Sequence, residues 1–137
     1  MIRASLAIVA CLGFAVSAGA QTVGSSQPAT ADPAVPRPGT TPCIVQLYSG
    51  YTFADFSPKP FTYTPPAACP GPWAKVVLEA DFSVTAGRQF DRTAQIAIGH
   101  VNVYYGTTAE PSASVSPAWH VERDLTDYSP LFASAQT

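Results

Sequence analysis

The chain has 137 residues, 47% of them apolar and 12% charged, with a formal net charge of −2. That length holds one modest domain, and without a Lys/Arg cluster the chain offers no basic surface for nucleic acid. No second long apolar stretch follows the N-terminus, so a soluble mature protein is expected.

Met1, Ile2 and Arg3 form a short positive start, residues 6–16 are apolar, and Ala18-Gly19-Ala20 supplies the small residues read by a signal peptidase. Export with cleavage after Ala20 is predicted, which places the protein in the periplasm or outside the cell. Ile8-Val9-Ala10-Cys11 is a loose lipobox and gives a second reading, lipid anchoring at Cys11. The apolar stretch continues past Cys11 to Val16, which favours simple cleavage. Residues 21–42 are rich in Pro, Ser, Thr, Ala and Gly and read as a flexible, partly extended linker.

Ordered structure is expected from residue 43 onward. Ile44-Val45-Gln46-Leu47-Tyr48 is apolar and β-branched and predicts a first strand. Residues 57–72 carry Pro58, Pro60, Pro65, Pro66, Pro70 and Pro72, which exclude a helix or a central strand and predict a long ordered loop. Cys43 and Cys69 remain after cleavage, an even number in an oxidising compartment, and predict one disulfide. Neither has a C-x-x-C partner or a nearby His, so a zinc site is not expected.

Residues 75–84 start as a buried strand and then alternate, ending at Gly87. Residues 92–98 and 101–107 predict two strands meeting at Gly99-His100. In the second, Val101, Val103 and Tyr105 are assigned to one face and Asn102 and Tyr104 to the other. Residues 119–125 alternate weakly and predict another strand. A turn follows over 124–128, with a helical turn capped by Thr126 or Asp127. The fold class is therefore all-β, a jelly-roll-type antiparallel β-sandwich. Some five strands fall short of a full sandwich, and the chain stops soon after a turn that would lead into another strand. An incomplete domain over 43–137 is expected, marginally stable and inactive alone.

Five segments, taken in order, carry a family resemblance. They are Pro42-Cys43-Ile44-Val45-Gln46-Leu47-Tyr48-Ser49-Gly50-Tyr51-Thr52-Phe53 and Cys69-Pro70-Gly71-Pro72-Trp73-Ala74-Lys75-Val76-Val77-Leu78, then Gly87-Arg88-Gln89-Phe90-Asp91-Arg92 and Thr107-Thr108-Ala109-Glu110-Pro111. The last is Trp119-His120-Val121-Glu122-Arg123-Asp124-Leu125-Thr126-Asp127-Tyr128-Ser129. Together they resemble the front part of the N-terminal domain of the peptide-N-glycosidase A family. The resemblance implies hydrolysis of the amide between an Asn side chain and the first N-acetylglucosamine of an N-glycan. It implies an N-linked glycopeptide or glycoprotein as partner and no metal or organic cofactor.

Such hydrolysis needs an activated water and a group that stabilises charge on the amide. By the resemblance Asp91 is the catalytic candidate, and Arg92 positions substrate or stabilises charge. Adjacent strand residues point to opposite faces, so in a regular strand one of the two faces the site. Arg88, Asp91 and Arg92 have a structural reading as well, an ion-pair brace for the turn. Glu110, before Pro111, is a second candidate carboxylate or a solvated loop residue. Asp81 is assigned to the surface, and Arg88, Trp73 and Tyr51 are candidate substrate contacts, the two aromatics having a core reading beside it. His100 and His120 are assigned as ordinary surface or strand residues. Ser49-Gly50 lacks the G-x-S-x-G frame of a serine hydrolase. The rival reading is a non-catalytic exported jelly-roll fragment that binds glycan or nothing.

N-terminal sequencing of exported material is expected to begin at Gln21. A chain beginning at a lipid-bearing Cys11 would establish the anchored form instead.

Overall fold

The computed structural model describes residues 34–90 and 92–137. The export signal, its cleavage point, Cys11 and Asp91 lie outside the described residues. The described residues are all-β, with four strands among them: β1 Val77–Ser83, β2 Thr93–Ile98, β3 Val101–Thr107 and β4 Ala118–Asp124. A 3₁₀ helix over Thr126–Ala133 follows. The strands pair antiparallel as two ribbons, β1 with β4 and β2 with β3. No helix among the described residues is long and apolar enough to cross a membrane.

The β2–β3 hairpin turns on Gly99 (φ 55°) and His100 (φ 68°). Two consecutive left-handed residues give the turn twist that matches flanking strands. An added Cβ at Gly99 would lie 2.8 Å from Gln136 Oε1, the end of a flexible side chain that would have to move aside. The strict alternation expected of β3 fails. Ile96 pairs with Tyr104 and Ala97 with Asn102, so Val103 is an extra residue in the ladder. This bulge lets Val103 and Tyr104 both face inward and turns Tyr105 to solvent.

The two ribbons share one core of Leu78, Ile98, Val103, Tyr104, Val121 and Leu125, closed at one end by Tyr63 and Phe132. Neither ribbon could stand alone, because a two-stranded sheet is at best marginally stable in water. Phe82 joins them, with its ring stacked 5.5 Å from Trp119 and 5.6 Å from Tyr104. Tyr63 pairs through its backbone with Gln136, and its hydroxyl donates to the Phe132 carbonyl at 3.0 Å. The Pro-rich loop is thereby fastened over the end of the core.

Three local expectations are corrected. Residues 44–48 form no strand, so four strands are present among the described residues. Ile44 is 84% exposed, and β-propensity cannot hold an extended segment that no neighbouring strand pairs with. The cap of the terminal helix is neither Thr126 nor Asp127. The cap position is Leu125, which makes no side-chain capping hydrogen bond, while Asp124 one residue earlier accepts through Oδ1 from the backbone N–H of Thr126 at 3.0 Å and from its hydroxyl at 2.6 Å. The third correction is the bulge in β3.

The disulfide joins Cys43 to Cys69, with Cα atoms 6.3 Å apart. Closing that loop restricts the unfolded chain by about 3.5 kcal/mol in the chain-entropy account. It ties the non-strand segment at 43 to the start of the Trp73 region, where the indole N–H donates to the Cys69 carbonyl at 3.1 Å.

The outer face of the β1–β4 ribbon presents a charge problem. Glu79 faces Glu122 across the ladder, and like charges directly opposite are unfavourable. Arg37 lies across both, paired with Glu79 and at 3.0 Å from Glu122, while the Val35 N–H donates to Glu122. One step along, Asp81 faces His120 and accepts from its Nδ1 at 2.8 Å. Residues 35–37 are thus held against the sheet by the charges that oppose each other on it.

These pairs set a pH window. The hydrogen bond to Asp81, with a lesser one to Glu122, raises His120 above its ordinary 6.5. A raised folded-state value means a contribution fully present below about pH 6.5 and lost as pH rises through the raised value. Glu122 is held below its ordinary 4.5, first by the Val35 N–H and then by Arg37. Lys75 and Thr126 hold Asp124 at about 2. Lowered carboxylates contribute above their ordinary values and lose that contribution as pH falls through the lowered ones. Thermal unfolding followed against pH is expected to plateau between about pH 4.5 and 6.5 and to decline on both sides. His120→Gln should flatten the alkaline decline; a variant with an unchanged alkaline limb would assign that decline to another group.

Candidate functional site

The chain crosses between the ribbons twice at one end, from β1 to β2 over residues 84–92 and from β3 to β4 over 108–117. Among the described residues the two crossovers are bonded to each other at four points, one of them the Ala86 N–H donating to Ser116 Oγ at 2.8 Å. Val84 N–H donates to the Pro117 carbonyl at 2.9 Å, and Gly87 N–H donates to the Ser112 carbonyl at 2.9 Å. At the far end Thr108 N–H donates to the Arg92 carbonyl at 2.7 Å, and its Oγ1 accepts from the Arg92 N–H at 3.2 Å. Gly87 opens the segment at φ 146°, a conformation unfavourable for a residue with a side chain.

Between the last two bonded points the strands of the crossover part. On one side lie Arg88, Gln89 and Phe90; on the other, Ala109, Glu110 and buried Pro111. Glu110 is exposed to solvent. Arg88, Gln89, Phe90, Arg92 and Thr93 line an open cleft of about 580 Å³, joined there by Phe56 from the distant Pro-flanked loop. The Arg92 guanidinium lies 6.0 Å from the centre of the Phe56 ring. Arg88 and Arg92 enter no ion pair among the described residues. The cleft thus offers two cationic forks and a neutral amide beside bare phenyl rings. Such a set can hold an oxygen-rich substrate and stabilise negative charge developing on an amide oxygen.

The sequence candidates separate in space. Arg88 and Arg92 share the cleft, and Glu110 is not among the residues that line it. Tyr51 instead joins an aromatic cluster with Tyr48 and Phe53, ring centres 5.7 and 4.8 Å from its own. Trp73 packs against the core and lines a separate apolar groove of about 510 Å³ with Pro65, Pro66, Pro72 and Pro130. Asp81 stands on the surface as expected, on the outer face of β1 rather than toward the cleft segment. Among the described residues no group of three or more His, Cys, Asp or Glu side chains is arranged to hold a metal ion. Phe56 was missed at the level of sequence, because only tertiary packing brings it to Arg92. Phe90 was visible as the aromatic residue preceding Asp91-Arg92.

The described residues are thus all-β, with an open cleft rimmed by Arg88 and Arg92. The sequence profile of peptide N-acetyl-beta-D-glucosaminyl asparaginase amidase A matches residues 28–137, and the chain belongs to that family. It is 38% identical over 104 residues to the peptide-N4-(N-acetyl-beta-glucosaminyl)asparagine amidase A of Prunus dulcis. That alignment covers 73% of this chain and 18% of the relative, so the chain spans under a fifth of the relative's length. No solved structure matches it.

Thr108→Val is expected to remove the side-chain acceptor for the Arg92 N–H and to cost about 0.5–1.5 kcal/mol of stability. Amide hydrogen exchange should rise at 88–93 and stay unchanged at β1–β4. Uniform loss of protection across the chain would show that the crossovers have no local stability of their own.

Proposed function

We propose that this chain is an exported glycoamidase component that acts on the amide between an Asn side chain and the first N-acetylglucosamine of N-linked glycopeptides or glycoproteins. The observation that carries the reading is the family profile over 28–137, which includes both crossovers. In this reading the strands belong to a two-layer, jelly-roll-type sandwich.

Asp91 takes a proton from water, and the resulting hydroxide attacks the side-chain carbonyl carbon of Asn. Arg92 stabilises the oxygen as it gains charge, and Arg88 helps hold the substrate. As the C–N bond breaks, the proton that Asp91 took from water passes to the leaving nitrogen, with Glu110, the second carboxylate, relaying it. The products are an Asp in the peptide and a glycosylamine, which loses ammonia in water. Tyr51 and Trp73, each in its own aromatic setting, serve as outer sugar contacts. A second reading, glycan binding without catalysis, draws support from the exposed rings of Phe53, Phe56 and Phe90.

Reaction in ¹⁸O-water separates the two. The glycoamidase reading expects heavy oxygen in the new Asp of the released peptide. Glycan release without label in the peptide, or no release by the protein as its producing cell makes it, removes that reading. Asp91→Asn keeps the size but cannot act as a base, and turnover is expected to fall on the order of a hundredfold or more with an unchanged unfolding midpoint. If Asp91 only braces its arginine neighbours, turnover persists and stability falls by about 1–3 kcal/mol instead.

A further inference from the structure

Phe56 and Phe90 are 91% and 84% exposed, the barest large apolar side chains of the cleft. Single exposed aromatics are common, but these two line the same opening as Arg88, Gln89, Arg92 and Thr93. Phe56 is also held in place rather than carried on a loose arm. Asp55 accepts from the Ser57 N–H at 2.8 Å and pairs with Lys59 at 2.7 Å, which clamps the chain on both sides of the ring. The Lys59 carbonyl in turn accepts from the Tyr48 hydroxyl, tying the loop to the aromatic cluster. The clamp presents the ring to solvent beneath a guanidinium, an arrangement that favours a stacked partner over a buried one.

A phenyl face surrounded by hydrogen-bond donors complements a ligand with an apolar face and an oxygen-rich rim. A pyranose has that form, with C–H groups on one face and hydroxyl and acetamido oxygens around the edge. An acidic peptide would engage the arginines but leave both phenyl faces bare. We infer that Phe56 is a positioning residue, the stacking platform for the N-acetylglucosamine ring next to Asn, with Arg92 braced against it. The identity of the sugar rests on the glycoamidase reading. Stacking at Phe56 sets the sugar's rotation and so places its amide bond along 88–92.

The test is binding of N,N′-diacetylchitobiose, and separately of an acidic peptide, to the full chain, followed by backbone amide shifts. Chitobiose is expected to shift residues 56 and 88–93, and Phe56→Ala to weaken it about tenfold. Phe56→Trp should restore binding to within about threefold. Since the ring is exposed, the unfolding midpoint of Phe56→Ala should stay at the wild-type value, so weakened binding cannot be laid to misfolding. The inference is overturned if chitobiose does not bind, if Phe56→Ala binds it normally, or if the acidic peptide binds these residues more tightly than the sugar. Chitobiose binding through Phe56 without labelled glycan release would sink the glycoamidase reading and leave the platform standing. Labelled release by Phe56→Ala at an unchanged KM would do the reverse.

Discussion

Phe82 stacks on Trp119 within its own ribbon and on Tyr104 of the other, and the rest of the fold depends on this contact. A pair of strands buries one face at most and gains little by itself. Two such ribbons gain a common interior only when something fixes one against the other. Once Phe82 does so, Ile98, Val121 and Leu125 become nearly inaccessible to water. The two connections between the ribbons are then forced to run side by side. Their mutual hydrogen bonds follow from that proximity, since backbone groups brought out of water need partners. The cleft opens beside the first of these connections, where Phe56 meets residues 88–90 and 92–93.

Strands β1 to β3 were legible because each combines β-branched or aromatic residues with a clear punctuation mark, Gly87 or Gly99-His100, while β4 showed only a weak alternation. The disulfide was legible from the even cysteine number left after the expected export cleavage. The non-strand at 44–48 was not, because its residues carry the right propensity and what they lack is a partner, which no local pattern reveals. The bulge at Val103 was hidden for a related reason. Periodicity assumes one residue opposite one residue, and the extra residue is a property of the pair of strands. At the candidate site Arg88 and Arg92 were found from a short motif, while Phe56 comes from a loop more than thirty residues earlier in the chain. Trp73, after Gly71-Pro72, and Tyr51, after Gly50, looked alike in sequence, yet one is hydrogen-bonded over the core and the other stands in an aromatic cluster.

The outer face of the β1–β4 ribbon shows how charge can recruit a segment of low sequence complexity. Residues around Arg37 are Pro- and Gly-rich and have little to bury. Glu79 and Glu122 nevertheless meet across the ladder, and a single guanidinium bridging both relieves their repulsion. Each exposed pair alone is worth little. The geometry gains from the network, since His120 and the Val35 N–H also converge on Glu122. The segment before the first strand is thereby placed on the face of the sheet away from the shared core.

Because the cleft belongs to the connections, the chain separates what must stay constant from what is free to vary. Inward residues of the ribbons are constrained by volume, and almost any exchange there disturbs the packing. Residues 88–90 and 109–110 bear no such burden, as surface connections generally do not. Gly87, Pro111 and Pro117 bound the variable stretches, the first by its backbone angle and the other two by burial. A lineage of such chains can therefore diversify what it grips, one side chain at a time, while inheriting an unaltered scaffold.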